Sequence, residues 1–366
     1  MSLALNGTNG ITYNDGTVQA SAPVGTNLII NGDMRIDQRN SGSVTTPGNN
    51  IYTLDRWNAG LSQSSKYSVQ QVVDAPSGFY NSIKATVLAT VSLGATDYFM
   101  LKHKIEGYNV ADLNFGTANP ETITLSFWVK SSVTGTFGGG IQNSNESRGY
   151  AFNYTISSAN TWEYKTVTLT GDTTGTWDKT NGTGLWLNLA LGVGTTYSKS
   201  TGSWGAGPVL SATGATNLLA TGSATIQFTG VQLEAGTTAT PFENLQYGQQ
   251  LALCQRYFYI VDAYLGGSAN YPSIGAGYNV STTEARISIQ YPVMMRAKPT
   301  LSQTGILFLL NSSGSGLTVT SISTNYGNAM SSMVAFGVAS GLTQGHGTLL
   351  ITNNASGQTF QANAEL

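Results

Sequence analysis

The sequence predicts an all-β protein: two β-sandwich domains joined by a short helix, with a small hairpin segment in front. Three observations carry that reading. Charged residues are only 9% of the 366 residues, against about 25% in an average soluble protein. Long amphipathic helices need charge on their wet faces, so few can form. The missing charge is replaced by turn and strand formers, with 44 glycines among abundant Ser, Thr and Asn, and these favour strands separated by tight turns. Finally, apolar residues alternate at period two in run after run. The length suits roughly two to three domains of about 150 residues.

Residues 1–25 form a unit too small to bury a core. Asn14, Asp15 and Gly16 stand between two short β-prone pieces, and Asp-Gly is a hairpin signal because Gly accepts positive φ without strain. The piece must dock on something larger. Residues 26–244 are expected to form the first β domain. Its opening run, residues 28–40, reads as a strand with Leu28, Ile30, Met34 and Ile36 on one face and Asp33, Arg35, Asp37 and Arg39 on the other. Further strands place Ile123, Leu125, Phe127 and Val129 inward, and Leu185, Leu187, Leu189 and Leu191 on one face. In residues 226–233 the inward phase flips from Ile226 and Phe228 to Val231 and Leu233. A flip of one residue beside Gly230 predicts a β-bulge.

Residues 245–260 predict the one helix. Tyr247, Leu251, Cys254 and Phe258 recur at helical spacing, a seam that either docks on a neighbouring β domain or packs around a three-fold axis. Residues 261–366 read as a second β domain, with a strand at 285–291 and an edge or loop bracketed by Pro292 and Pro299.

Several classes are excluded. A net charge of −2 leaves no basic stripe for nucleic acid. No aliphatic or aromatic run is longer than that of residues 306–310, far short of the roughly 20 residues of a membrane helix. No secretion signal is visible at the N-terminus. A single cysteine, Cys254, rules out an intrachain disulfide. Nothing matches zinc-ligand spacing, and no dense Asp run supports calcium; no cofactor is expected. Asp172 and Asp178 flank a Thr/Gly-rich turn and are the least improbable carboxylate pair for glycoside hydrolysis. His103, in a strand-like run, reads as a surface or cross-strand residue, and His346 as a loop tip. Neither lies near a nucleophile motif.

Sugar recognition calls for flat aromatic faces with polar groups beside them. Trp57, Trp128 and Trp186 lie in strand patterns and read as core. Trp177 and Trp204 lie in loops, as do Tyr264, Tyr271 and Tyr278, and loops on sandwiches are where recognition concentrates. The loop tryptophans serve either as anchors into the core or as ligand platforms.

Several motifs in order are similar to virion proteins of tailed bacteriophages. They are the opening at 28–40, residues 52–57 with Asp55, Arg56 and Trp57, residues 105–107, residues 124–130, and the close from Gly230, Gln232 and Glu234 to Pro241, Phe242 and Glu243. Cys254, Arg256 and Phe258 resemble the family's junction, and residues 292–300 the early part of its C-terminal domain. Asp37 stands where the family often has Trp, and Asn40 replaces its usual Gly. The resemblance implies a jelly-roll similar to carbohydrate-binding modules, within a tail fibre that is a homotrimer. Such a fibre is held to other virion proteins through residues 1–25, exposed at its C-terminal domain, and assembled in the host cytoplasm. It implies no enzyme. The function expected is attachment to a host surface glycan, without membrane insertion. The alternatives are a head-fibre, decoration or baseplate protein, and a polysaccharide depolymerase.

Overall fold

The structure is a computed structural model. It describes residues 27–262, 272–352 and 358–366, together with three short strands near the N-terminus, Ala4–Asn6, Gly10–Thr12 and Val18–Gln19. The last two pair antiparallel, as a hairpin requires. The turn at Asn14–Gly16 lies outside the described residues.

Alternation builds the large sandwich. One sheet has seven strands in the order Trp204–Ala206, Arg148–Ile156, Gly135–Gln142, Thr183–Val193, Tyr98–Glu106, Trp57–Leu61 and Ile51–Leu54. The other has five: Glu163–Leu169, Ile123–Ser131, Thr225–Ala235, Ser82–Val87 and Tyr67–Val72. All neighbours in both sheets are antiparallel. The inward residues predicted from phase, among them Leu125, Phe127, Leu185 and Leu189, meet between the sheets in one core.

The predicted bulge is present. The pairing of Thr225–Ala235 with Ile123–Ser131 slips between Thr229 and Gln232, and Gly230 has φ +58°. A Cβ there would lie 2.6 Å from the Phe79 ring. The strand's end is fastened by its own side chains. Glu234 accepts from the Thr240 N–H at 2.9 Å and from its hydroxyl at 2.6 Å, and Gln232 accepts from the Glu243 N–H at 2.9 Å. Glu243 in turn accepts from the Asn27 N–H at 2.8 Å. The closing motif thus folds back and ties the first and last segments of the sandwich together.

Residues 28–40 are not a strand. Asn31 and Met34 both take φ +60°. The Asn31 side chain accepts from the Ile36 N–H at 2.9 Å and donates to the Ile36 carbonyl at 2.8 Å, closing a turn. Side-chain bonding to nearby backbone competes with extended structure. Leu28 and Ile29 enter the sandwich core, while Ile30 and Ile36 pack under the helix. The charged row is broken up with it: Asp33 pairs with Arg35, Asp37 accepts from the Asn40 and Gly42 N–H groups, and Arg39 reaches Glu365.

The helix runs Tyr247–Gln255 and is shorter than predicted. Phe258 opens a strand, Phe258–Asp262, in a three-stranded sheet with Thr359–Asn363 and Thr300–Thr304. The expected oligomer seam does not form one stripe. Cys254 and Phe258 are buried within the chain, Leu251 packs beside Cys254, Tyr257, Ile30 and Ile36, and only Tyr247 is exposed. The remaining C-terminal strands close into a six-stranded barrel, Ser273–Asn279, Glu284–Gln290, Ser331–Val338, Gly316–Gly327, Leu307–Leu310 and Gly347–Thr352. The all-β class holds, with closure of this sheet in place of a second sandwich.

Buried charge joins the two parts. Glu106, at the end of a sandwich strand, accepts from Arg256 at 2.9 and 2.6 Å and from the Tyr257 hydroxyl at 2.6 Å. Glu365 pairs with Arg39 and with Arg56, whose guanidinium lies 3.6 Å from the Tyr257 ring centroid.

Gly32 packs directly on the bulge. A Cβ at this position would fall 2.1 Å from the Val231 carbonyl oxygen, and backbone cannot step aside cheaply. Gly32→Ala should destabilise the protein by at least about 2 kcal/mol, measured as a lowered urea midpoint; an unchanged midpoint would contradict this packing.

Candidate functional site

Strand phase decides which side chains face out. In Tyr98–Glu106, Phe99, Leu101 and Ile105 enter the core, leaving Met100, Lys102 and Lys104 on the outer face. In Thr183–Val193 the leucines point inward and Trp186 and Asn188 outward. Register then lines these up across strands. Asn58, Lys102 and Asn188 are direct neighbours in one row, and Lys104, Trp186 and Gln142 in the next.

Part of the same outer face is covered by the chain itself. Val209 and Ala212 pack on Ala151. Gly140 permits this approach, since a Cβ there would lie 2.3 Å from the Val209 carbonyl oxygen. Beyond that cover lies an unusual polar set. Asn58 and Asn188 are 1% and 0% exposed, yet neither amide nitrogen nor amide oxygen of either finds a partner within the protein. Gln142 Nε2 and Trp186 Nε1 are likewise without one. An unsatisfied buried polar group costs about 1–3 kcal/mol, so these groups call for polar partners from outside the chain, water or ligand.

Two ammonium groups bracket the indole. Lys102 Nζ lies 4.9 Å and Lys104 Nζ 5.0 Å from the Trp186 ring centroid. Lys102 donates to Asn50 Oδ1 at 2.7 Å and Lys104 to Leu366 O at 2.7 Å. Burial, helped by the nearby Lys104 charge, pushes Lys102 down to about 8. Burial first, and the Arg56 charge next, also lower Lys104.

The residues singled out from sequence fall elsewhere. Trp177 and Trp204 meet edge-to-face at 5.3 Å, and both pack against Phe115. Their indole N–H groups donate to the Thr174 and Thr170 carbonyls. Trp177 is buried and anchors its loop to the core, whereas Trp204 lies not in a loop but at the start of the edge strand Trp204–Ala206, half-buried against the same core. Tyr278 is exposed on a barrel strand. Tyr264 and Tyr271 lie outside the described residues. Asp172 is held by Arg148 at 2.8 and 2.7 Å, and Asp178 accepts from the Thr180 N–H and hydroxyl. His103 is fully buried, edge-on to Trp57 with its Nε2 3.0 Å from the Ile30 carbonyl oxygen, and not at the surface.

Trp128 and Trp186, expected in the core, both face outward. Their even numbers already set them opposite the odd-numbered residues of their strands. Trp128 meets Tyr164 at 5.4 Å on the five-stranded sheet, beside an open groove of about 400 Å³ lined by Phe79, Pro241 and Phe242. Among the described residues no group of three or more His, Cys, Asp or Glu could hold a metal, and no helix is long and apolar enough to cross a membrane.

No family model and no curated protein matches the sequence. Among solved structures, a CBM4 module is similar at 15% identity, covering 57% of this chain and 99% of that one, with a TM-score of 0.30. The module TmCBM61, solved with β-1,4-galactotriose, is similar at 9% identity over 49% of this chain and 88% of that one, TM-score 0.26. The enzymatically active domain of bacteriophage CBA120 tailspike protein 4 is similar at 12% identity, TM-score 0.28; the match covers 50% of this chain and 19% of that one. The architecture given above rests on the strand pairing of this chain.

Lys102 binds its proton less tightly in the folded chain than its ordinary value of 10.5, so the unfolded state holds more protons between about pH 8 and 10.5, and stability rises with pH in that window. Lys102→Met removes a poorly solvated charge. At pH 7 the variant should melt higher than wild type, with the gap narrowing as pH rises through this window. A lower melting temperature at pH 7 would show the charge to be well compensated.

Proposed function

We propose that this chain is a non-enzymatic fibre protein of a tailed bacteriophage virion that attaches to a host surface glycan, with the outer face of its seven-stranded sheet as the binding surface. The observation that carries this reading is the row of unpaired amides beside Trp186. Sugars present hydroxyls that donate and accept at once, which suits free amide nitrogens and oxygens side by side, and C–H faces that stack on an indole. The ordered sequence motifs support the phage assignment. The engagement of Asp172 by Arg148 supports a binding role over hydrolysis. The short N-terminal strands are the proposed attachment to other virion proteins.

A homotrimer is part of the proposal. It is supported by large apolar side chains left exposed on the barrel: Tyr326 and Met333, opposite each other on paired strands, with Met330 at the connection between them. A trimer would multiply weak contacts into firm attachment.

Binding of the full chain to an array of bacterial surface polysaccharides tests the glycan reading. Trp186→Ala should weaken binding by about tenfold or more, roughly 1.4 kcal/mol, while leaving the melting temperature close to wild type. Undiminished binding by a folded variant would remove this face as the site. Sedimentation tests the assembly: a trimer is expected at micromolar concentration, and a monomer would contradict it.

A further inference from the structure

We infer that the sugar taken by this face is acidic, carrying a carboxylate that sits against the Lys102 ammonium between Asn58 and Asn188. The inference rests on the glycan reading and names the ligand's charge. Two Lys or Arg side chains are buried among the described residues, Arg56 and Lys102, and Arg56 is matched to the Glu365 carboxylate. Lys102, 6% exposed, forms no ion pair among the described residues, whereas the half-buried Lys104 is held by Leu366 O. The acceptor held by Lys102 is the neutral Asn50 amide.

Geometry places complementary donors around that ammonium. Asn58 and Asn188 are its direct cross-strand neighbours on either side, and each has an unengaged Nδ2. A carboxylate offers two oxygens and about four lone-pair sites, enough for the ammonium and both amides. The amide oxygens remain to accept from ring hydroxyls. A neutral sugar would satisfy the amides and leave the buried ammonium with only the unpaired, more distant Glu146 charge to offset it; an acidic one satisfies both. Charge-assisted contacts of this kind are also the stronger ones.

The test uses the full chain with labelled tryptophan indoles, the Trp186 resonance being assigned by its loss in Trp186→Phe. Sodium D-glucuronate and D-glucose are titrated separately at millimolar concentration, with ionic strength matched by sodium chloride. Glucuronate should shift the Trp186 indole signal with an affinity about tenfold or more above that of glucose. In Lys102→Met that ratio should fall towards one. Equal affinities in the wild type would overturn the acidic assignment and leave the glycan reading standing. A preference for glucuronate that survives in Lys102→Met would also overturn it, because the charge would then be read elsewhere. If neither sugar moves the Trp186 signal, the face is not a sugar site and both readings fall.

Discussion

Leu189 sits opposite Leu101, and Asn188 opposite Lys102, in the antiparallel ladder between Thr183–Val193 and Tyr98–Glu106. That register organises most of the molecule. On one side of the ladder the leucines, Phe99 and Ile105 supply the centre of the sandwich core. On the other it gathers two lysines, an indole and an amide that are far apart in sequence. A slip of one residue would exchange the two sets, turning the lysines into the sandwich core and the leucines onto the outer face. The core therefore enforces the geometry of the outer face without any residue of that face contributing to it.

The same ladder ends in the junction to the C-terminal part. Glu106, the last residue of its strand, is 1% exposed and fully engaged by Arg256 and Tyr257. Tyr257 also carries Arg56 on its ring, and Arg56 reaches Glu365. Removing one partner of such a buried set strands the other charge, at about 3–5 kcal/mol. A chain with so few charges thus commits several of them to one interface. The clasp of Gln232, Glu234 and Glu243 does comparable work at the end of the central strand of the five-stranded sheet, with side chains closing a segment that has no strand partner.

Much of this was legible in sequence wherever period-two alternation was long and uninterrupted. The core leucines, the strand at 123–131 and the bulge at Gly230 follow from phase alone. Residues 28–40 alternate just as cleanly, yet Asn31 and Met34 adopt positive φ, and the Asn31 side chain replaces ladder partners that a strand would have needed. Periodicity cannot register that substitution. Helical spacing overextends the helix because Phe258 continues it, although Phe258 pairs with Asn363 in a sheet. The site was missed for a different reason. Residue type assigns Trp186 to the core, while its phase against four inward leucines places it outside. The unpaired state of Asn58 and Asn188 had no sequence signal, because it depends on strands brought together from separate parts of the chain.

The crystal structure of the full chain with a bound acidic oligosaccharide from a bacterial surface tests the proposed site most directly. The account predicts a sugar ring over Trp186, its carboxylate at Lys102 and its hydroxyls on the amides of Asn58 and Asn188. A ligand seated on the barrel, or ordered water alone completing the hydrogen bonds of this face, would contradict it.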